Sequence, residues 1–314
     1  MSESFKLDTE TAADCLKLIE MALIEDTGSA SLKSAVDCTT QSVIPVAATA
    51  SAAFVSRQKG VVCGVEIAKL AISTYAPDLT LEVVTADGQA ITPGETIAII
   101  RGSAHQILMM ERTCLNFMCR LSGISTLSQS FARKVAGTDA QILDTRKTTP
   151  GYRRLEKYAV QCGGGTNHRM GLYDAVMIKD NHLAFYKAWN KDSKDAVAEG
   201  IELARNWIDA NQDRLPNGPQ TVLQIEVDTL EQFERALQQG PDIILLDNMS
   251  NDQLTQAVAR RNEDAPKILL EASGGVNLET ISAIAQTGVD RISIGALTHS
   301  AVNFDIGLDW TIGS

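Results

Sequence analysis

Between residues 221 and 299 the chain keeps repeating one order of events: a short aliphatic run, a polar turn, a helical stretch. TVLQIEVD leads into TLEQFERALQQG, DIILLDNM into SNDQLTQAVARRN, and KILLEASGG into VNLETISAIAQTG, with RISIGALTHS closing the series. The aliphatic runs are rich in Ile, Val and Leu, as strands buried on both faces require. The linking segments have helical period and stop at Gly240 and Gly288. Glu226, Asp247, Ser273 and Gly295 stand at the ends of the runs, 21, 26 and 22 positions apart. Those spacings match the roughly 20–30 residues of a βα unit. QILDTRK and AVMIKDN add two earlier strands with charged ends. Parallel strands sharing one ring of end groups describe an α/β barrel, whose active site lies at the strand C-termini. An open doubly wound sheet obeys a similar rule. The barrel is favoured because every strand from Gln141 onward donates a polar or glycine end.

The first part of the chain reads differently. Residues 11–24 place Cys15, Leu18, Ile19, Ala22 and Leu23 on one helical stripe. Residues 50–56 and 81–85 have strand composition, and Asp87-Gly88 and Pro93-Gly94 punctuate short strands as turns do. A helix is expected over 105–121, and a second from Ser125, with Leu127, Phe131 and Val135 on one face and Gly137 as its stop.

The 314 residues are 44% apolar and 21% charged, the make-up of an ordinary globular protein with a sizeable core. No apolar run approaches the roughly 18 residues of a membrane span. The polar, acidic beginning predicts no secretory leader. Six scattered cysteines without a C-x-x-C pair predict reduced thiols, hence a cytoplasmic location, and no zinc site. With no basic patch interleaved with aromatics, nucleic acid is not an expected partner, and neither is a membrane.

Against a formal net charge of −11, residues 144–179 gather Arg146, Lys147, Arg153, Arg154, Lys157, His168, Arg169 and Lys179. An acidic chain that concentrates cations in one glycine-rich stretch predicts a local anion site, and Arg pairs grip planar carboxylates and phosphates through forked hydrogen bonds. A small substrate with several negative charges is therefore expected. The turn Thr148-Thr149-Pro150-Gly151 would leave amide N–H groups free for an anion. Gly163-Gly164-Gly165 reads as a ligand-facing loop leading to His168 and Arg169. Lys179, ending AVMIK, suits either an anion or a Schiff base. Glu226 and Asp247 suit Mg²⁺ shared with a polyphosphate, or structural pairing with nearby cations. Ser273-Gly274-Gly275 and Gly295-Ala296-Leu297 expose backbone N–H groups at late strand ends, a recurrent phosphate cradle. Neither a P-loop nor a dinucleotide fingerprint is present.

ERTCLNFMCRLSGIST, ILDTRKTTPGYRRLEKYAVQCGGGTNHRMGLYDAVMIKDNH, IEVD, LLDN, LEASGGV and ISIGALTHS together resemble the quinolinate phosphoribosyltransferase family over residues 108–299. The resemblance implies an N-terminal α/β sandwich, 1–122 completed by 300–314, and an irregular, open α/β barrel of the type II phosphoribosyltransferase kind over 123–299. It implies transfer from phosphoribosyl pyrophosphate to quinolinate, giving nicotinate mononucleotide, pyrophosphate and carbon dioxide, with Mg²⁺, in NAD biosynthesis. It also implies a homodimer in which one sandwich covers its neighbour's barrel mouth. Arg146, His168 and Arg169 would hold the quinolinate carboxylates, joined by Arg112 of the partner subunit, with Thr145 also lining the substrate site. Lys147 and Lys179 would lie between acid and pyrophosphate. Glu226 and Asp247 would serve the ribose and the metal, and these four side chains would carry the chemistry. Ser273, Gly274, Gly295 and His299 would line the 5′-phosphate site.

Two stretches depart from the family pattern. The compact E-D-x-G-x-G-D-x-T opening is stretched to EDTGSASLKSAVDCTT, and residues 184–220 are long. From the residues alone, three rivals stand: a related transferase using another acidic acceptor, a Schiff-base aldolase, and a silent sensor of phosphorylated metabolites.

Overall fold

The computed structural model describes residues 5–311. The chain packs as two compact units. The first takes the residues up to Gln129, Thr148–Gly165, and those from Leu297 onward; the second takes Ser130–Lys147 and Thr166–Ala296.

In the first unit, strands β1 (Thr49–Ser56), β3 (Thr80–Val83), β5 (Thr96–Ser103) and β12 (Ile306–Thr311) form an antiparallel sheet in the order β12-β1-β5-β3. A two-stranded ribbon, β2 (Gly60–Val61) with β4 (Ala90–Ile91), stands beside it in the chain. The helices of this part are α1 (Thr9–Thr27), α2 (Cys38–Val43), α3 (Val65–Tyr75), α4 (Ala104–Val135) and α5 (Arg153–Cys162). The α1 stripe buries Cys15, Ile19 and Leu23, as the periodicity predicts. β12 extends the sheet on β1 from residue 306; residues 312–314 of the stretch expected to complete it lie outside the described residues.

The two helices expected over 105–121 and from Ser125 are one helix of 32 residues, α4. Gly123, between the two expected helices, is there for closeness: a Cβ at this position would run into the backbone carbonyl of Val302. The glycine run 163–165 has a similar origin. A Cβ on Gly163 would collide with the Ser125 carbonyl oxygen and the Ser128 side chain, so the first of these glycines serves packing against α4 rather than a ligand. The turn before α5 is also committed. The Thr149 N–H and Oγ1 both donate to the buried Glu156 carboxylate, at 3.2 and 2.9 Å, and Arg120 Nη2 donates to the same group at 2.7 Å. Together with Tyr158 Oη donating to Asp87 (2.8 Å) and Ser125 Oγ to the Ala159 carbonyl (2.7 Å), these bonds are why Thr148–Gly165 packs with the first unit although it follows a strand of the second.

The second unit holds six strands: β6 (Gln141–Leu143), β7 (Val176–Ile178), β8 (Leu223–Val227), β9 (Ile243–Asp247), β10 (Leu269–Ser273) and β11 (Arg291–Ser293). All five pairings are parallel and the order is β6-β11-β10-β9-β8-β7. From β7 to β11 the chain steps to the next neighbour in one direction without reversing. β6 then joins β11. A doubly wound sheet reverses its order at a switch point, so this is a barrel, open between β6 and β7. Helices α6 (Asp180–Trp189), α7 (Ala196–Ala210), α8 (Leu230–Gln239), α9 (Asn251–Asp264), α10 (Ile281–Gln286) and α11 (Ala296–His299) follow strands β7 to β11. The long 184–220 stretch is filled by most of α6, all of α7 and two short 3₁₀ turns.

Local rules place these elements. α8 starts where Thr229 caps the Gln232 N–H and stops at Gly240, whose φ of 65° suits glycine. α9 starts with a capping box between Ser250 and Gln253. α8 buries Phe233, Ala236 and Leu237, and a side chain such as Phe233 contributes about 2–3 kcal/mol by leaving water. Gly163→Ala should lower unfolding free energy by about 1–3 kcal/mol through overpacking. Equilibrium denaturation of the two proteins checks this, and equal midpoints would remove the packing account of that glycine.

Candidate active site

The C-terminal ends of the parallel strands gather the residues singled out by sequence. Ile178 pairs with Ile225 and Ser273 with Asp247, so register sets Lys179 beside Glu226 and brings Asp247 level with Ser273. Lys179 Nζ donates to Glu226 Oε2. Lys179 is thus ion-paired, as a charge-binding lysine is. Asp247 Oδ2 accepts from Asn248 Nδ2 at 2.7 Å, and the Asn248 N–H donates to the Ser273 carbonyl at 2.9 Å. Asn248 has a φ of 55°, the one non-glycine residue in the left-handed region among the described residues. Gly274 (φ 95°) fits against it, and a Cβ there would run into the Asn248 amide oxygen. The ends of β9 and β10 therefore interlock through backbone that most side chains would forbid. Glu226, Asp247 and Asn248 line a cavity of about 530 Å³ together with Asp180, Lys187 and Lys194. Gly295 follows β11, one residue beyond Ile294, whose N–H donates to the Leu143 carbonyl of β6 at 2.8 Å.

The cationic end lies at the open edge of the barrel. After β6, Thr145 Oγ1 accepts the Lys147 N–H at 3.0 Å, turning the chain past Arg146. Residues 166–168 run alongside β6: Leu143 and Thr166 form a parallel bridge, and the Thr166 N–H donates to the Ile142 carbonyl at 2.8 Å. That pairing delivers His168 and Arg169 to the end of β6, where Arg146 stands. Arg169 Nη1 donates to the Ala175 carbonyl at 2.9 Å. Burial, and then the like charge of Arg146, lower the Arg169 pKa, with Asp174 acting the other way. Arg146 Nε is buried and makes no hydrogen bond among the described residues. Two guanidinium groups near enough to influence one another, one of them with an orphaned buried donor, suit an anion.

Four residues of this site were not foreseen as site residues. Asp144, fully buried, accepts the His168 N–H on Oδ1 at 2.9 Å. Glu271, also fully buried, lies 3.2 Å from His168 Nε2 through Oε1 and accepts from Arg291 Nε through Oε2 at 3.0 Å. Asn248 is the fourth. The signal that could have found Glu271 is a carboxylate at the centre of the aliphatic run KILLEAS, a position a buried strand does not give to a charge without a partner. Of the remaining expected residues, Arg112 is exposed on α4 and His299 is exposed at the end of α11, 2.7 Å from Ser300 Oγ through Nδ1; both belong to the first unit.

Burial by itself would raise the Glu271 carboxyl, and His168, Arg291 and Ser293 together bring it below the ordinary carboxylate value. A depressed folded-state pKa stabilises the fold above the unfolded value, and the contribution is lost as pH falls through the folded one. Stability should therefore decline as pH drops below about 4, and Glu271→Gln should flatten that acid limb. Denaturation midpoints measured across pH 3–7 check it; an unchanged limb would move the effect to other carboxylates.

The chain is similar to known proteins in sequence and in fold. The family model for the N-terminal domain of quinolinate phosphoribosyl transferase matches residues 37–122, and that for the C-terminal domain matches residues 124–309. A nicotinate-nucleotide pyrophosphorylase (carboxylating) of Mycobacterium leprae is 39% identical over 293 residues, covering 93% of this chain and 95% of its own. A quinolinate phosphoribosyltransferase (decarboxylating) of Nicotiana glauca is 37% identical over 305 residues, covering 94% and 82%. The crystal structure of nicotinate-nucleotide pyrophosphorylase from Ehrlichia chaffeensis superposes with a TM-score of 0.82 at 35% identity, over 98% of this chain and all of that one (100%). With the two domain models together matching residues 37–122 and 124–309, the chain belongs to the quinolinate phosphoribosyltransferase family.

Proposed function

We propose that this chain transfers the phosphoribosyl group of phosphoribosyl pyrophosphate to the ring nitrogen of quinolinate, releasing pyrophosphate and carbon dioxide and leaving nicotinate mononucleotide. The observation that carries the reading is the half-buried Arg146–Arg169 pair with its unsatisfied Arg146 Nε, a match for an acceptor bearing two carboxylates. In this reading Arg146 and Arg169 hold those carboxylates, with His168 and Thr145 in the same pocket. Lys147 and Lys179 lie toward the pyrophosphate. Ser273, Gly274 and Gly295 receive the 5′-phosphate. The pairing of Lys179 with Glu226 supports an ion-binding lysine over a Schiff-base nucleophile.

The chemistry follows from charge. As pyrophosphate departs, the anomeric carbon gains positive character, which Glu226 and Asp247 stabilise from the strand ends. The pyridine nitrogen is a weak nucleophile, so its alignment against that carbon by the two arginines supplies much of the acceleration. Once the nitrogen is ribosylated the ring is cationic. The electron pair of the bond to the adjacent carboxylate then passes to the ring carbon as carbon dioxide leaves, and that carbon takes a proton. Among the described residues no group of three or more His, Cys, Asp or Glu is arranged to hold a metal. Glu226 and Asp247 nonetheless fit Mg²⁺, which is commonly held by one or two carboxylates and completed by substrate phosphates and water. When bound there, Mg²⁺ would neutralise charge on the pyrophosphate.

The assembly, the domain boundary and the location are part of the same proposal. The chain acts as a homodimer, with Arg112 of the partner subunit completing the acid pocket; the exposure of Arg112 on α4 supports this. The meeting point of the two family matches supports a division between sandwich and catalytic barrel at residues 122 and 123. A cytoplasmic location is supported by six free thiols, and no helix among the described residues is long and apolar enough to cross a membrane.

Purified protein given phosphoribosyl pyrophosphate and Mg²⁺ should form nicotinate mononucleotide from quinolinate, with matching carbon dioxide, and none from nicotinate. Product from neither acid would redirect the reading to another acidic acceptor. Arg169→Ala should weaken quinolinate binding by about a hundredfold, as loss of a buried charged partner does, while phosphoribosyl pyrophosphate binding stays within about twofold. Calorimetry with each ligand decides this. Arg112→Ala and Lys179→Ala, each inactive alone, should regain activity on mixing, because a heterodimer rebuilds one intact site; no recovery after verified subunit exchange would place Arg112 outside the partner's pocket.

A further inference from the structure

The backbone N–H and both ring nitrogens of His168 lie close to polar groups of its own unit. Its N–H donates to Asp144 Oδ1 at 2.9 Å. Its ring Nδ1 accepts the Arg169 N–H at 2.7 Å. An Nδ1 that accepts has no hydrogen of its own, so the ring proton belongs on Nε2. Nε2 lies 3.2 Å from Glu271 Oε1, and the His168 side chain is only 8% exposed. The other Glu271 oxygen accepts from Arg291 Nε at 3.0 Å, the two residues being direct partners across the β10–β11 register. A continuous path of contacts thus runs from Arg291 through Glu271 and the imidazole to the backbone of Arg169. A buried carboxylate in a strand interior is expensive to desolvate and is not required by the aliphatic core around it. Its position against the imidazole gives it a purpose.

We propose that Glu271, held by Arg291, is a positioning residue for the acid pocket: it fixes the His168 ring as the Nε2–H tautomer and, through the bond from the Arg169 N–H to Nδ1, sets the Arg169 guanidinium against Arg146. His168 is then a neutral strut between Glu271 and Arg169. The two guanidinium groups make the grip on the carboxylates. This inference rests on the acid-binding reading given above for its kinetic consequence, and on geometry alone for the state of the ring.

The arrangement separates two effects of removing Glu271. A lone Glu271→Gln leaves the half-buried Arg291 without its counter-charge, which costs stability in its own right. Replacing the pair together, Glu271→Gln with Arg291→Gln, removes both charges and keeps the shape. A purely structural ion pair would be compensated by the double change. A positioning carboxylate would not, because His168 still loses its partner.

The test uses the full chain labelled with ¹⁵N at histidine, its His168 signal among the four histidines identified by loss in a His168→Gln variant. In the wild type without ligands the ring should show a protonated Nε2 and an unprotonated Nδ1. In the folded double variant that signature should be lost or averaged. The KM for quinolinate should rise about tenfold, the worth of one hydrogen bond to a charged group, with the KM for phosphoribosyl pyrophosphate and kcat within about twofold. A wild-type His168 that is protonated on Nδ1 overturns the proposal without any variant. So does a folded double variant with unchanged ring signals, or one with changed signals and an unchanged quinolinate KM. Failure of the wild type to turn over quinolinate defeats the functional reading instead, and the ring measurement still decides the placement of Glu271.

Discussion

Arg146 and Arg169 carry like charges into a half-buried place, in a chain whose net charge is −11. Left to themselves two guanidinium groups would separate into water, where each is solvated and the repulsion is screened. They stay because the backbone on both sides is committed. Arg146 follows directly from β6. Arg169 is tied down by the pairing of Thr166 with β6, by the bond from His168 to Asp144, and by its own bond to the Ala175 carbonyl. The repulsion is held by strand pairing and carboxylates rather than relieved. An anion would relieve it, and in the proposed function a planar acid with two carboxylates offers one negative group to each cation.

The open barrel explains where this can happen. In a closed barrel β6 and β7 would pair and their edges would be satisfied by each other. Here they do not pair, and residues 166–168 lie along β6 instead. The opening is thus the means by which a loop residue reaches the end of the first barrel strand. The opposite set, Glu226 and Asp247, comes from neighbouring strands in the continuous part of the sheet, where register alone fixes the spacing. In the proposed reaction the sugar end would be served by rigid strand ends and the acid end by a tethered loop. The interlocked Asn248 and Gly274 show how tight the rigid side is, since both have positive φ and a Cβ at Gly274 would run into the Asn248 amide.

Much of this was legible in the residues. The strands β8 to β11 announce themselves as aliphatic runs that no helix period fits, and each delivers its polar end where a parallel strand must. The cationic stretch stood out against the acidic background. Other signals misled for physical reasons. Gly163 has no side chain because another backbone lies where a Cβ would be, which no local pattern distinguishes from a loop that meets a ligand. The Thr149 amide looked available in a Pro-Gly turn, yet Glu156 takes it from seven residues further on. Glu271 was passed over because its partners, His168 and Arg291, lie 103 and 20 positions away in the chain.

By itself the sequence determined the alternation of strand and helix, the parallel direction that alternation imposes, and the chemical types gathered at the strand ends. Those depend on neighbours within a turn or a strand, and periodicity reports them. Tertiary structure alone decided that the barrel stays open between β6 and β7, that α5 packs with the first unit, and that the ring of His168 faces a buried carboxylate. Each of these is settled by which distant groups can satisfy one another once water is excluded, and that choice is made in space rather than along the chain.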